Sequence, residues 1–193
     1  LKGIKEAEEN DLIIISDLDE IPNLNQLNFK EIGNNIVIFE QKMFYYKLNL
    51  FYEDYIWQGT KAVKRKNFIS PQWLRNIKGK KYSKWRLDTF FSKKKYSNLH
   101  FVKNGGWHFT CLKSPEELEK KLLNFAHHYE FEESGLKLDD IKKLIKDKRV
   151  MYDHTVDQKG YKWSGKSILK NLDSKFLPDH VSSNLGKYSD WLD

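Results

Sequence analysis

The chain has 193 residues, 39% of them hydrophobic and 15% aromatic, enough apolar surface for a folded globular domain rather than a disordered segment. Its net charge of +7 reads as scattered lysines, and such an excess attracts polyanions, anionic membrane surfaces or phosphate-bearing small substrates without choosing among them. Cys111 is the single cysteine, which excludes an internal disulfide and makes a reducing, cytoplasmic compartment the simpler reading. No run approaches the roughly 20 apolar residues of a membrane span. The opening LKGIKEAEEN lacks the apolar centre of a signal peptide. A soluble chain without a transmembrane segment is the expectation, and its charge would suit peripheral membrane association.

In chain order, Leu12 to Ile15 read as a fully buried strand, expected in the interior of a mixed sheet. Asn23 to Ile32 read as a short amphipathic helical segment opened by Pro22. Residues 34–50, NNIVIFEQKMFYYKLNL, hold strand-like runs after the turn signal of Gly33 and Asn34. Gly59 suggests a turn between short strands, and SPQWLRNI from Ser70 predicts a capped helix. Residues 98–110, NLHFVKNGGWHFT, read as two strands joined in a hairpin by Asn104, Gly105 and Gly106.

From Ser114 the apolar period becomes helical. Ser114 as N-cap, Pro115 in the first turn and Glu117 closing a capping box start a helix with Leu118, Leu122 and Phe125 on one face. Leu138 to Ile145 form a second amphipathic helix, and from Arg149 the chain is aromatic, polar and loop-like. With no repeat or linker in sight, one domain over 1–193 is the economical reading, of α/β class with a mixed central sheet flanked by helices.

The stretch DLIIISDLDEIPN, residues 11–23, sets an apolar run directly against Asp17, Asp19 and Glu20. Residues two apart in an extended chain face the same way about 6 to 7 Å apart, so two carboxylates can address one cation and its ligand. Ending a strand there places them at the carboxyl edge of a sheet, where open α/β folds bind ligands. The plain reading is a strand followed by an acid-rich turn that caps the next helix, and beside it two chemistries fit: an Asp-x-Asp that holds a divalent metal on a nucleotide-sugar diphosphate, or a haloacid-dehalogenase-type phosphatase with an Asp nucleophile. The phosphatase pattern continues with Thr or Val two residues after the second Asp, where this chain has Ile21 and then Pro22.

DLIIISDLDEIPN, GGWHFT at 105–110, SPEEL at 114–118 and KSILKNLDSKFLP at 166–178 together resemble, in order and spacing, one glycosyltransferase family. It is that of β-1,4-mannosyl-glycoprotein β-1,4-N-acetylglucosaminyltransferase, which adds bisecting N-acetylglucosamine. The resemblance implies a GT-A type fold, a UDP-sugar donor such as UDP-GlcNAc, a glycan acceptor, Mn²⁺ or Mg²⁺, inversion at the anomeric carbon and, in a eukaryote, the Golgi. Members of the family carry further strands ahead of the Asp-x-Asp strand, whereas sixteen residues precede Asp17 here, so a partial GT-A fold is expected.

On that resemblance Asp19 is the expected direct metal ligand, and Asp17 reaches the metal through water or holds the donor ribose. His108 is the natural third ligand, and an imidazole among hard oxygens favours Mn²⁺. The metal stabilises the departing UDP. Arg75 and Arg86 are candidate diphosphate contacts, and Trp107 a candidate stacking platform for a sugar. Inversion needs a carboxylate to take the acceptor proton, for which Glu116 and then Glu20 are the candidates. His127, His128, His100 and His154 read as structural or surface residues. A basic, aromatic-rich module that binds glycan or nucleic acid without chemistry is the competing class, and no nucleic-acid motif supports the latter.

Overall fold

The computed structural model describes residues 2–83, 85–89, 91–124, 128–157 and 160–193. The strands are β1 (Leu12–Ile15), β2 (Glu20–Pro22), β3 (Ile36–Phe39), β4 (Gln41–Tyr45), β5 (Leu50–Trp57), β6 (Lys61–Lys64), β7 (Leu99–Val102), β8 (Gly106–Thr110) and β9 (Lys170–Asn171). The helices are α1 (Phe29–Ile32), α2 (Pro71–Asn76), α3 (Pro115–Leu123), α4 (His128–Ser134), α5 (Leu138–Lys146) and α6 (Asp179–Ser182). The chain is mixed α/β and gathers into two compact units, Leu1–Gln41 with Trp57–Trp107, and Lys42–Ile56 with His108–Asp193.

The first unit is built on a mixed sheet in the order β1-β6-β3-β7. β6 runs antiparallel to both β1 and β3, and β3 runs parallel to β7. Alternate residues of β3 serve opposite faces, as strand geometry requires. Ile36 and Ile38 pack with Ile13, Val63, Leu74, Ile77 and Leu99, the side that α2 covers. Val37 and Phe39 pack with Leu27, Ile32, Ala62 and Val102, the side that α1 covers. Both faces of this sheet are therefore apolar, which accounts for the unbroken runs IVIF and LIII.

Two strand expectations are corrected. β1 lies at the edge of its sheet, with Ile13 alone classed as buried, and is not an interior strand. Its apolar run is explained by having a packed layer on each face rather than a strand on each side. The NGG segment does not close a hairpin, because β7 pairs in parallel with β3 while β8 joins a different sheet. Gly105 and Gly106 make a corner. A Cβ on Gly105 would lie 2.7 Å from the Val102 carbonyl, and one on Gly106, at φ +132°, would lie 2.0 Å from the Ile21 carbonyl. Both glycines let two backbones approach more closely than any side chain permits.

In the second unit β8, β4, β5 and β9 lie in that order, with β9 antiparallel to the start of β5. α3 begins as the sequence predicts, with the Ser114 Oγ accepting from the Glu117 N–H at 3.2 Å and the Glu117 carboxylate accepting from the Ser114 N–H at 3.3 Å. Leu118, Leu122, Phe131 and Ile141 bury the inner faces of α3, α4 and α5. Phe125 and His127 lie outside the described residues. Among the described residues no helix is long and apolar enough to cross a membrane.

Candidate functional site: the acidic turn after β1

β1 ends in a tight turn in which the Glu20 N–H donates to the Asp17 carbonyl at 3.1 Å, with β2 starting at Glu20. The Glu20 side chain is 6% exposed and folds back under the turn. Its Oε1 accepts from Trp57 Nε1 at 2.6 Å, and its Oε2 accepts from Thr60 Oγ1 at 2.8 Å and from the Asp17 N–H at 3.1 Å. Ser16 Oγ lies 2.8 Å from Thr60 Oγ1 and reaches the same carboxylate. A buried carboxylate bonded to this many donors holds its neighbours in one geometry. Gly59 makes room for it: a Cβ there would lie 1.7 Å from Glu20 Oε1.

Asp17 is gripped from the other side by α2. Both terminal nitrogens of the Arg75 guanidinium donate to the two Asp17 oxygens, Nη2 to Oδ2 at 2.9 Å. Ser70 caps α2 by accepting from the Trp73 N–H, which fixes the helix that presents Arg75. The Arg75 carbonyl in turn accepts from Lys61 Nζ at 2.6 Å. Burial lowers the Lys61 ammonium below its ordinary value, with Glu20 pulling the other way. One turn thus collects Asp17, Asp19 and Glu20 with Arg75 and Lys61, an arrangement of fixed charges suited to a phosphate-bearing ligand with its cation.

The structure gathers Asp17, Glu20 and Arg75 directly, and Asp19 shares their turn. Arg75 and Asp17, expected to serve donor and metal separately, are spent on one another. Glu20 is tied to Trp57, Thr60 and the Asp17 N–H through both of its oxygens. Arg86 is committed to Asp88 through Nε at 2.6 Å. Trp107 is half-buried at the start of β8, its carbonyl facing Gln41 Nε2 at 3.4 Å. His108 is buried on the second-unit part of β8, and Glu116, at the start of α3, pairs with Lys142 on α5 at 2.9 Å. That lysine holds the Glu116 carboxyl below its ordinary value. Among the described residues no three His, Cys, Asp or Glu side chains form a metal-ligating group.

The second unit contains a centre the sequence reading passed over. Asp153 is 2% exposed and accepts from Tyr52 Oη at 2.7 Å, Thr155 Oγ1 at 2.5 Å and Ser167 Oγ at 2.6 Å. Burial alone would raise this carboxyl, but the donors outweigh it and hold it at about 2. Beside it His154 stacks on Tyr55 and meets Tyr152 edge to face, each ring centroid 5.0 Å away. Burial, aided by His108 and Lys162, lowers its imidazole to about 4. His154 also lines a cavity of about 320 Å³ with Tyr45, Cys111, Glu130, Tyr152 and Trp163. Aromatic walls with a few polar groups are the usual make-up of a small-ligand cleft. The signal for this centre in sequence is faint, since Asp153 draws its partners from 101 residues earlier and 14 residues later.

Comparisons with protein-family models, with curated proteins and with solved structures found no match for this chain.

Proposed function

We propose that the protein is a glycosyltransferase of GT-A type that transfers a sugar, N-acetylglucosamine from UDP-GlcNAc, to a glycan acceptor with inversion. The observation that carries the reading is the Glu20 carboxylate, buried and bonded to Trp57, Thr60 and the Asp17 N–H, which locks the Asp17 to Asp19 turn at the end of β1. A plain helix-capping turn has no use for such a support. The motif resemblance supplies the sugar and the stereochemistry.

The donor set suits Mg²⁺ or Mn²⁺, which bind through one or two carboxylates plus substrate phosphates rather than in an all-protein cage. With Asp17 held by Arg75, Asp19 is the residue that would hold the ion. When bound, that ion would offset the charge developing on the departing diphosphate. Arg75 and Lys61 add fixed positive charge beside the turn, and Glu20 keeps the turn from relaxing. Glu116 and Glu20 are the candidate carboxylates for taking the acceptor proton, as the motif resemblance nominates them.

The test is chelation. UDP-GlcNAc turnover with a glycan acceptor should vanish in excess EDTA and return with Mn²⁺. Full turnover in EDTA, or hydrolysis of p-nitrophenyl phosphate in place of sugar transfer, contradicts the reading, the latter in favour of the phosphatase.

A further inference from the structure

The basic residues are scattered along the chain, but the net positive charge is not. Residues 78–98, KGKKYSKWRLDTFFSKKKYSN, hold eight Lys and Arg against the single acid Asp88, a net +7. The whole chain has 34 basic and 27 acidic residues, so the remainder has 26 of each and is neutral. All of the excess charge belongs to this one loop of the first unit.

The loop is tied at its base. The Lys78 N–H donates to the Lys94 carbonyl at 2.8 Å, and Trp73 Nε1 donates to Tyr96 Oη at 2.8 Å. Asp88 draws Arg86 and Lys95 together. Within this frame Trp85 is 92% exposed, Leu87 75% and Phe91 91%. Lys78, Lys80, Lys81, Lys93 and Lys94 are exposed on either side of them in sequence. A soluble surface gains nothing from displaying an indole, a phenyl and an isobutyl group within seven residues.

We propose that this loop docks the protein on an anionic lipid bilayer, with Trp85, Leu87 and Phe91 entering the interface and the flanking lysines resting on acidic headgroups. An apolar insertion flanked by a polybasic segment is the pairing of signals that stable peripheral binding needs, since neither alone suffices. Leu87 argues for a bilayer over a single-stranded nucleic acid, because an aliphatic side chain has no stacking role on bases. The proposal stands apart from the glycosyltransferase reading: it uses no residue of the acidic turn.

Co-sedimentation with vesicles of phosphatidylcholine plus phosphatidylglycerol, against phosphatidylcholine alone, tests it. The wild-type protein should partition onto the anionic vesicles only, less strongly as salt rises. Each neutralised lysine should cost about fivefold, so the Lys80→Gln, Lys93→Gln, Lys94→Gln variant should lose on the order of a hundredfold. Trp85→Ser with Phe91→Ser should lose about tenfold or more at unchanged charge. All five positions are exposed, so circular dichroism should be unaltered. Equal binding to neutral vesicles, no binding to anionic ones, or anionic binding that ignores both variants overturns the proposal. So does salt-sensitive binding of a single-stranded oligonucleotide that is lost in the lysine variant while vesicle binding is absent, which would assign the loop to nucleic acid.

Discussion

Trp57 donates its indole N–H to Glu20 Oε1 at 2.6 Å, and the two groups meet where Gly59 has no side chain: a Cβ there would lie 1.7 Å from the oxygen and 2.2 Å from the nitrogen. Neither neighbour is the loose end of a flexible chain, since each is bonded to the other. Gly59→Ala should therefore break the Trp57–Glu20 bond and destabilise the fold by about 2 kcal/mol, the sum of a small overpacking cost and a lost charge-assisted hydrogen bond. Trp57→Phe keeps the ring and removes the donor, and should cost about 1.5 kcal/mol. Urea denaturation of the two variants measures both, and wild-type stability in Gly59→Ala would show that Glu20 is not held as described.

Asp153 sets a second stability test. Asp153→Ala strips Tyr52, Thr155 and Ser167 of one shared acceptor in a buried site and should cost about 3 kcal/mol. Tyr52→Phe removes one of those donors and should cost about 1.5 kcal/mol. If the two changes are combined, the loss should fall short of the sum, because they act on one bond. A strictly additive double mutant in denaturant titrations would contradict the network.

The same pair of neighbours fixes a pH dependence. His154 is lowered from 6.5 to about 4 in the fold and Asp153 from 3.8 to about 2. Both folded values lie below the ordinary ones, so the native state binds fewer protons than the unfolded chain across each window and stability falls as pH falls. The His154 contribution is complete above pH 6.5 and is lost on the way to about pH 4, and the Asp153 contribution follows between 3.8 and about 2. Folding free energies measured through the upper window should decline in the wild type, and His154→Gln should flatten that decline. A flat wild-type profile between those limits would contradict the buried, neutral imidazole.

Much of the helical structure is legible in the sequence because its signals are local. Ser70 before Pro71 and Ser114 before Pro115 each bond the helix they open, and both helices begin there. Leu138 to Ile145, spaced for one apolar face, lies within α5. What fails is pairing. NGG between two apolar runs looks the same whether the runs pair with each other or diverge into different sheets, and only the parallel partner β3 decides it. Buried runs such as LIII likewise report two covered faces and not a central place in the sheet.

In the candidate site the acids were visible and their use was not. Asp17, Asp19 and Glu20 stand together in sequence, but the partners that sort them into roles come from Trp57, Thr60 and Arg75, 37 to 58 residues later. Asp153 carries no motif at all, because its partners are hydroxyls scattered along the chain. The basic loop needed only counting: the excess of the whole chain equals that of residues 78–98.

In the proposed function the turn after β1 holds a donor diphosphate through Asp19 while Glu20 keeps that turn in place. UDP-GlcNAc turnover in Mn²⁺, measured side by side for Asp19→Asn and Glu20→Gln, tests it most directly. Asp19→Asn should lose turnover by a hundredfold or more, about 3 kcal/mol of transition-state stabilisation. Glu20→Gln should lose stability as well as turnover, because its amide would face donors that need an acceptor. Turnover preserved in Asp19→Asn would contradict the account.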